Sequence, residues 1–170
     1  IGRTPFVYWF GKDILNTFVE NPTLGDVATV KHGLRTGDDT RFVRKYWEPT
    51  PSSLADEHYR FQKSGTDAPY YDVPEDYLYW GDDGKAVCNY DGSDASNREY
   101  FFDDGVTYRG FGNYFVARKK DEETVFSQKA HFVKSEDYSH DALTGLLSSS
   151  LTRFIMNGIN PGMDFTVGDG

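Results

Sequence analysis

The chain has 170 residues, 38% of them hydrophobic and 16% aromatic, enough for one domain to bury a core without disulfide or metal staples. That balance, with a mean hydropathy of -0.64, excludes disorder and collagen-like structure and points to a polar, loop-rich surface. The formal net charge of -9 argues against nonspecific nucleic-acid affinity of the whole surface.

No run approaches the roughly 18 apolar residues of a membrane span, so no membrane partner is expected. Cys88 is the single cysteine, and the histidines at 32, 58, 131 and 140 are too scattered for zinc spacing, which suits a metal-free, cytoplasmic protein. The first residue is Ile1 and no leader pattern precedes it, so the chain reads as a piece of a longer polypeptide.

Over residues 12–20, Ile14, Leu15, Phe18 and Val19 recur at helical spacing and Asn21-Pro22 ends the run, which predicts a helix. Strand character begins at Leu24 with Val27, Thr29 and Val30, and returns over 42–47, so two strands with a polar loop between them are expected. Residues 49–70 show turn-type clusters without sustained period and read as a loop, insertion or long connection. Strand-like fragments at 77–80 and 86–90 flank Gly81-Asp82-Asp83-Gly84, a hairpin-type turn. More strands are expected at 106–108, 114–118, 124–126 and 130–133.

Leu143, Leu146, Leu147, Leu151, Phe154 and Ile155 then mark a helix that Ser139 or Asp141 caps and Gly158 closes. Asn160-Pro161-Gly162 breaks the chain before a last strand at 165–167. The sum is a single mixed α+β domain over 1–170, sheet-rich with helices near both ends.

Charge is unevenly spread. Between Lys31 and Lys45 stand Lys31, Arg35, Arg41, Arg44 and Lys45, with His32, against Asp38 and Asp39. Between Tyr71 and Gly105 ten acids face only Lys85 and Arg98, among many aromatic residues. Arg118-Lys119-Lys120 forms a second basic cluster, followed at once by Asp121-Glu122-Glu123, which suits a solvated turn as well as a binding patch.

The run Lys31-His32-Gly33-Leu34-Arg35-Thr36-Gly37-Asp38-Asp39-Thr40-Arg41 joins cations, hydroxyls and flexible glycines. Such groups neutralise phosphate, fix register and, through bidentate arginine, read guanine in a major groove. The same composition suits an ordinary charged hairpin, and the residues alone leave both readings open.

Other motifs are weaker. Gly110-Phe111-Gly112 lacks the strand-loop-helix setting of a cofactor loop, and Ser148-Ser149-Ser150 sits in an amphipathic run rather than a nucleophile elbow. Pro74-Glu75-Asp76 and Asp83-Gly84-Lys85 faintly match a metal-nuclease pattern in which carboxylates hold a divalent ion. Tyr70, Tyr71, Tyr77, Tyr79, Trp80 and Tyr90 among acids would suit a carbohydrate- or protein-binding module.

Three blocks carry a family resemblance over nearly the whole chain. The first runs from Leu24-Gly25-Asp26 through Gly33-Leu34-Arg35-Thr36-Gly37-Asp38-Asp39-Thr40-Arg41-Phe42-Val43-Arg44. The second is Tyr100-Phe101-Phe102-Asp103-Asp104-Gly105-Val106-Thr107-Tyr108. The third joins Leu143-Thr144-Gly145-Leu146-Leu147-Ser148-Ser149-Ser150 to Ile159-Asn160-Pro161-Gly162-Met163-Asp164-Phe165-Thr166-Val167-Gly168-Asp169. Together they resemble the C-terminal target-recognition region, the TaqI-like specificity domain, of adenine-specific DNA methyltransferases of the type IIG restriction-modification and BREX phage-defence kind. Ser148 and Asp164 stand where asparagine is usual in that family, and Tyr108 where tryptophan is common.

The resemblance implies a fold like that of type I specificity subunits and a non-catalytic role, choosing the double-stranded DNA site for the methyltransferase domain of the same parent chain. It implies no cofactor in this segment; in the parent, S-adenosylmethionine would serve N6-adenine methylation of a flipped base. The DNA contacts it implies come from Lys31, His32, Arg35, Thr36, Thr40, Arg41, Arg44 and Lys45. Tyr108, Arg109, Asn113, Arg118, Lys119 and Lys120 would add to them from the second half, with the acidic 71–105 segment turned to solvent or to the methyltransferase domain.

Overall fold

The computed structural model describes residues 9–64, 66–113, 115–159 and 165. The chain order is α1 (Lys12–Glu20), α2 (Leu24–Val27), β1 (Thr29–Lys31), α3 (Asp39–Phe42), β2 (Val43–Lys45), α4 (Pro51–Glu57), β3 (His58–Gln62) and β4 (Asp76–Tyr79). It continues with α5 (Lys85–Cys88), a 3-10 turn at Arg98–Tyr100, β5 (Gly105–Arg109), β6 (Ala117–Lys120), β7 (Thr124–Phe126), β8 (Ala130–Lys134), α6 (His140–Leu147) and α7 (Ser150–Ile159). The architecture is mixed α+β, built on two four-stranded sheets, β1-β8-β5-β6 and β2-β4-β3-β7. The first is antiparallel throughout; in the second, β3 and β7 run parallel.

Strand alternation divides the interior into two cores. On β8, Ala130 and Phe132 join Leu34, Phe61, Leu78, Trp80, Val87, Phe101, Val125 and Phe126 in an aromatic core shared with the second sheet. Val133, from the opposite face of β8, joins Val106 and Tyr108 of β5, Ala117 of β6, and Leu143 and Leu147 of α6. Helix α6 is fixed to that face because Leu143 and Leu147 stand four apart, and it begins where the Ser139 hydroxyl accepts the Ala142 N–H.

Several elements depart from the sequence expectation. Residues 49–70 are no simple connection: they contain α4, capped by Thr50 with Pro51 in the first turn, and β3, an inner strand of the second sheet. The strands on either side of the basic loop form no hairpin, since β1 pairs with β8 and β2 with β4. Leu24–Val27 is a short helix closed by a Thr23/Asp26 capping box. The stretch expected as a strand at 86–90 is instead the short helix α5, pinned by fully buried Val87.

The long C-terminal helix is interrupted. Ser148 turns its hydroxyl to the Ala117 carbonyl at 2.7 Å, and Ser149 accepts the Thr152 N–H at the start of α7. Gly158 lies inside α7 rather than past its end, with the Phe10 ring where a Cβ would stand. The expected last strand and the Asn160 to Asp169 part of the third block lie outside the described residues, Phe165 apart. No helix among the described residues is long and apolar enough to cross a membrane.

Candidate nucleic-acid interface

The basic loop between β1 and β2 is clamped by backbone bonds at Leu34 and Arg35. Leu34 donates to the Phe126 carbonyl at 2.9 Å and accepts from Gln128 at 3.0 Å, while Arg35 and Asp94 exchange a backbone pair at 3.0 and 2.9 Å. This clamp needs glycine at two positions. A Cβ on Gly33 would run into the Phe126 carbonyl, and Gly37, at φ +74°, lies so close to residues 91–93 that a Cβ would meet the Asp91 oxygen at 2.9 Å. The loop closes into α3, where the Asp38 carboxylate accepts the Arg41 N–H.

Within this frame the predicted residues take different roles. Arg35 is exposed and makes no ion pair among the described residues. Arg41 is also exposed, its guanidinium 5.3 Å from the centroid of the Tyr90 ring and 5.5 Å from that of Phe42. Thr40 is exposed beside it. Thr36 is buried and donates to Asp39 at 2.5 Å, which Lys63 also meets at 2.9 Å. Against burial, which raises it, these donors hold the Asp39 carboxyl below its ordinary value.

Around the loop, Lys31 lies over the Tyr100 ring, and His32 stands 3.7 Å from Asp94, whose carboxyl the Ser96 N–H and hydroxyl keep low. Arg44 donates to the Thr40 and Val43 carbonyls. Lys45 bridges Glu75 and Asp76 at 3.4 and 3.2 Å. The outward cationic character of the loop therefore concentrates on Arg35 and Arg41, beside a shallow depression lined by Arg35, Thr36, Gly37, Asp39 and Gly92.

The second-half residues do not join this surface. Tyr108 is buried against Phe115 and His131, and burial pushes its phenol well up. Arg109 forks onto Asp67. Arg118, 2% exposed, is tied to Asp72 at 2.8 Å and to the Thr66 carbonyl at 2.7 Å. Lys120 is buried, with its ammonium on the Asp103 and Asp121 carbonyls. The alternation of β6 turns Arg118 and Lys120 to one side and leaves Lys119 exposed on the other, paired with Asp141. Asn113 is exposed. No hydrogen bond or ion pair among the described residues links these six to the loop.

The acidic segment is not uniformly turned away either, since residues 91–97 pack against the loop through Asp94, Ser93 and Asn97. Among the aromatics, Trp80 is buried and Tyr90 supports Arg41, whereas Tyr70 and Tyr71 are exposed. The residues of the faint nuclease pattern are dispersed: Asp76 pairs with Lys45, Asp83 with Arg98 and Lys85 with Asp82. Among the described residues no three His, Cys, Asp or Glu side chains are grouped to hold a metal ion.

No protein-family model matches the chain, and a search of curated proteins finds none similar to it.

Sequence reasoning missed the loop's supports: Tyr90, Asp94, Lys63 and the Leu34/Phe126 clamp. Each comes from a distant segment, and only the paired glycines around Arg35 hinted at close backbone approach.

Proposed function

We propose that this chain is the sequence-specific double-stranded DNA recognition domain of an N6-adenine DNA methyltransferase serving restriction-modification or phage defence. In this reading the segment is itself non-catalytic, and S-adenosylmethionine belongs to the parent's methyltransferase domain. The observation that carries the proposal is the clamped loop that presents Arg35 and Arg41 outward, in the first block of the family resemblance. A loop fixed by backbone bonds at Leu34 and Arg35 loses little further entropy on binding, and two arginines suit phosphate and guanine edges. Thr40 and the depression at Gly37 and Gly92 would fix register against the backbone.

The chain's acidity makes for weak, salt-sensitive binding through a small number of phosphates. Fluorescence anisotropy with short duplexes at low salt tests this. Arg35→Ala and Arg41→Ala should each weaken binding and flatten the salt slope by about 0.9 for every phosphate that is no longer neutralised. Unchanged affinity and slope in the double variant would defeat the proposal.

A further inference from the structure

A cleft of about 370 Å³ lies away from the loop, lined by β3, β7, the end of β6 and residues 71–74. Its least exposed lining residues are Gln62, Thr124 and Lys120, at 4%, 4% and 5%. On β3, Arg60 and Gln62 alternate with core residue Phe61, so both leave the strand on the cleft side, and the parallel register sets Thr124 beside Arg60.

The charges around the cleft are already met. Arg60 pairs with Asp121, Arg118 with Asp72, Lys119 with Asp141 and His140 with Asp104. Thr124 donates to Asp121. What stays open is hydrogen-bonding capacity. The Gln62 side-chain amide makes no hydrogen bond among the described residues and is not one of the side-chain groups shut off from solvent, so in a residue only 4% exposed it is the amide that opens to the cleft. Lys120 uses two ammonium protons on the Asp103 and Asp121 carbonyls and lies over the Phe126 and Phe132 rings, so it contributes charge at the edge of the cleft rather than a free donor.

An amide that opens to a cleft is met by water until a ligand with matching groups displaces it. A primary amide presents a donor and an acceptor side by side, the pattern that pairs with a purine or pyrimidine edge. Tyr71, 63% exposed on the same cleft, offers an aromatic face, with Val73 and Pro74 as apolar neighbours. We propose that this cleft binds a single nucleobase or nucleoside, its edge on the Gln62 amide and its face against Tyr71. The site is independent of the loop reading and stands or falls without it.

The test is calorimetric titration of the chain with adenosine, guanosine, cytidine and thymidine in turn. At least one binds saturably, with Kd of about 1 mM or tighter. Gln62→Leu, which keeps the bulk and removes the amide, weakens that binding about ten-fold. Tyr71→Ala weakens it about five-fold and, being at an exposed position, keeps the test readable should Gln62→Leu not fold. Arg35→Ala leaves it unchanged. Competition by a duplex with one bulged base, but not by a fully paired one, would assign the base to nucleic acid; failure of both to compete would assign it to the free nucleoside. The proposal is overturned if none of the nucleosides binds, or if the two cleft variants bind as the unaltered chain does.

Discussion

Arg118 belongs to the basic cluster that the sequence offers as a DNA contact, yet its guanidinium is 2% exposed against an Asp72 side chain that is 13% exposed. Asp72→Ala strips the counter-charge and leaves the cation with the Thr66 carbonyl as its remaining acceptor. Removing one partner of a buried pair costs about 3–5 kcal/mol. The retained carbonyl and the partial exposure of Asp72 place this case near the low end, about 3 kcal/mol. In a domain of this size that lowers Tm by about 6–12 °C. Replacing both partners, Arg118→Met with Asp72→Leu, removes the stranded charge and should recover most of the loss. Urea and thermal unfolding read both effects. A loss below about 1 kcal/mol for Asp72→Ala, or a double variant as unstable as the single one, would refute the buried-pair argument.

Other outcomes follow from the same geometry. Burial lowers the Lys120 ammonium to about 8 from its ordinary 10.5, so between those values the unfolded chain holds a proton the folded chain has released. Stability should therefore rise with pH across that window, by ~3 kcal/mol in total, and the difference in urea midpoint between the chain and Lys120→Met isolates the effect. Gly33→Ala should cost about 2 kcal/mol or more, since its Cβ meets the Phe126 backbone rather than a movable side chain. Accelerated amide exchange at Leu34 and Arg35 would accompany that loss. Ser139→Ala removes the α6 cap and should cost about 1 kcal/mol in thermal unfolding.

What the sequence discloses depends on whether an element is set locally. Helix α1 follows from the spacing of Ile14, Leu15 and Phe18 and from Pro22, and its bounds match the expectation. The strands β5, β7 and β8 are short apolar runs with little else to become. Strand β3 is different: His58-Tyr59-Arg60-Phe61-Gln62 alternates polar and aromatic residues, but only Tyr59 and Phe61 are apolar because the other face carries Arg60 and Gln62 to a polar cleft, and the pairing with β4 and β7 that fixes it is supplied from far along the chain. Ala86-Val87-Cys88 has strand-like composition, but the burial of Val87 decides for a helical turn. The serines that divide α6 from α7 act through hydrogen bonds with Ala117 and Thr152, and nothing in the heptad-like leucine spacing announces them.

The candidate interface shows the same division. Arg35 and Arg41 stand out in the sequence as part of a basic run, and the structure leaves both exposed. The neutralisation of Lys45 by Glu75 and Asp76, and the burial of Lys120, arise from pairings that composition cannot display. Counting basic residues overstates the positive surface, since β6 consumes its own cluster in buried hydrogen bonds and a helix pair.

The most direct test of sequence-specific recognition through the clamped loop is selection from a pool of randomised duplexes at low salt. The unaltered chain and Lys119→Ala should enrich the same base sequence, while Arg35→Ala combined with Arg41→Ala should enrich none. Enrichment of no sequence by the unaltered chain, or of an identical one by the double-arginine variant, would contradict that role.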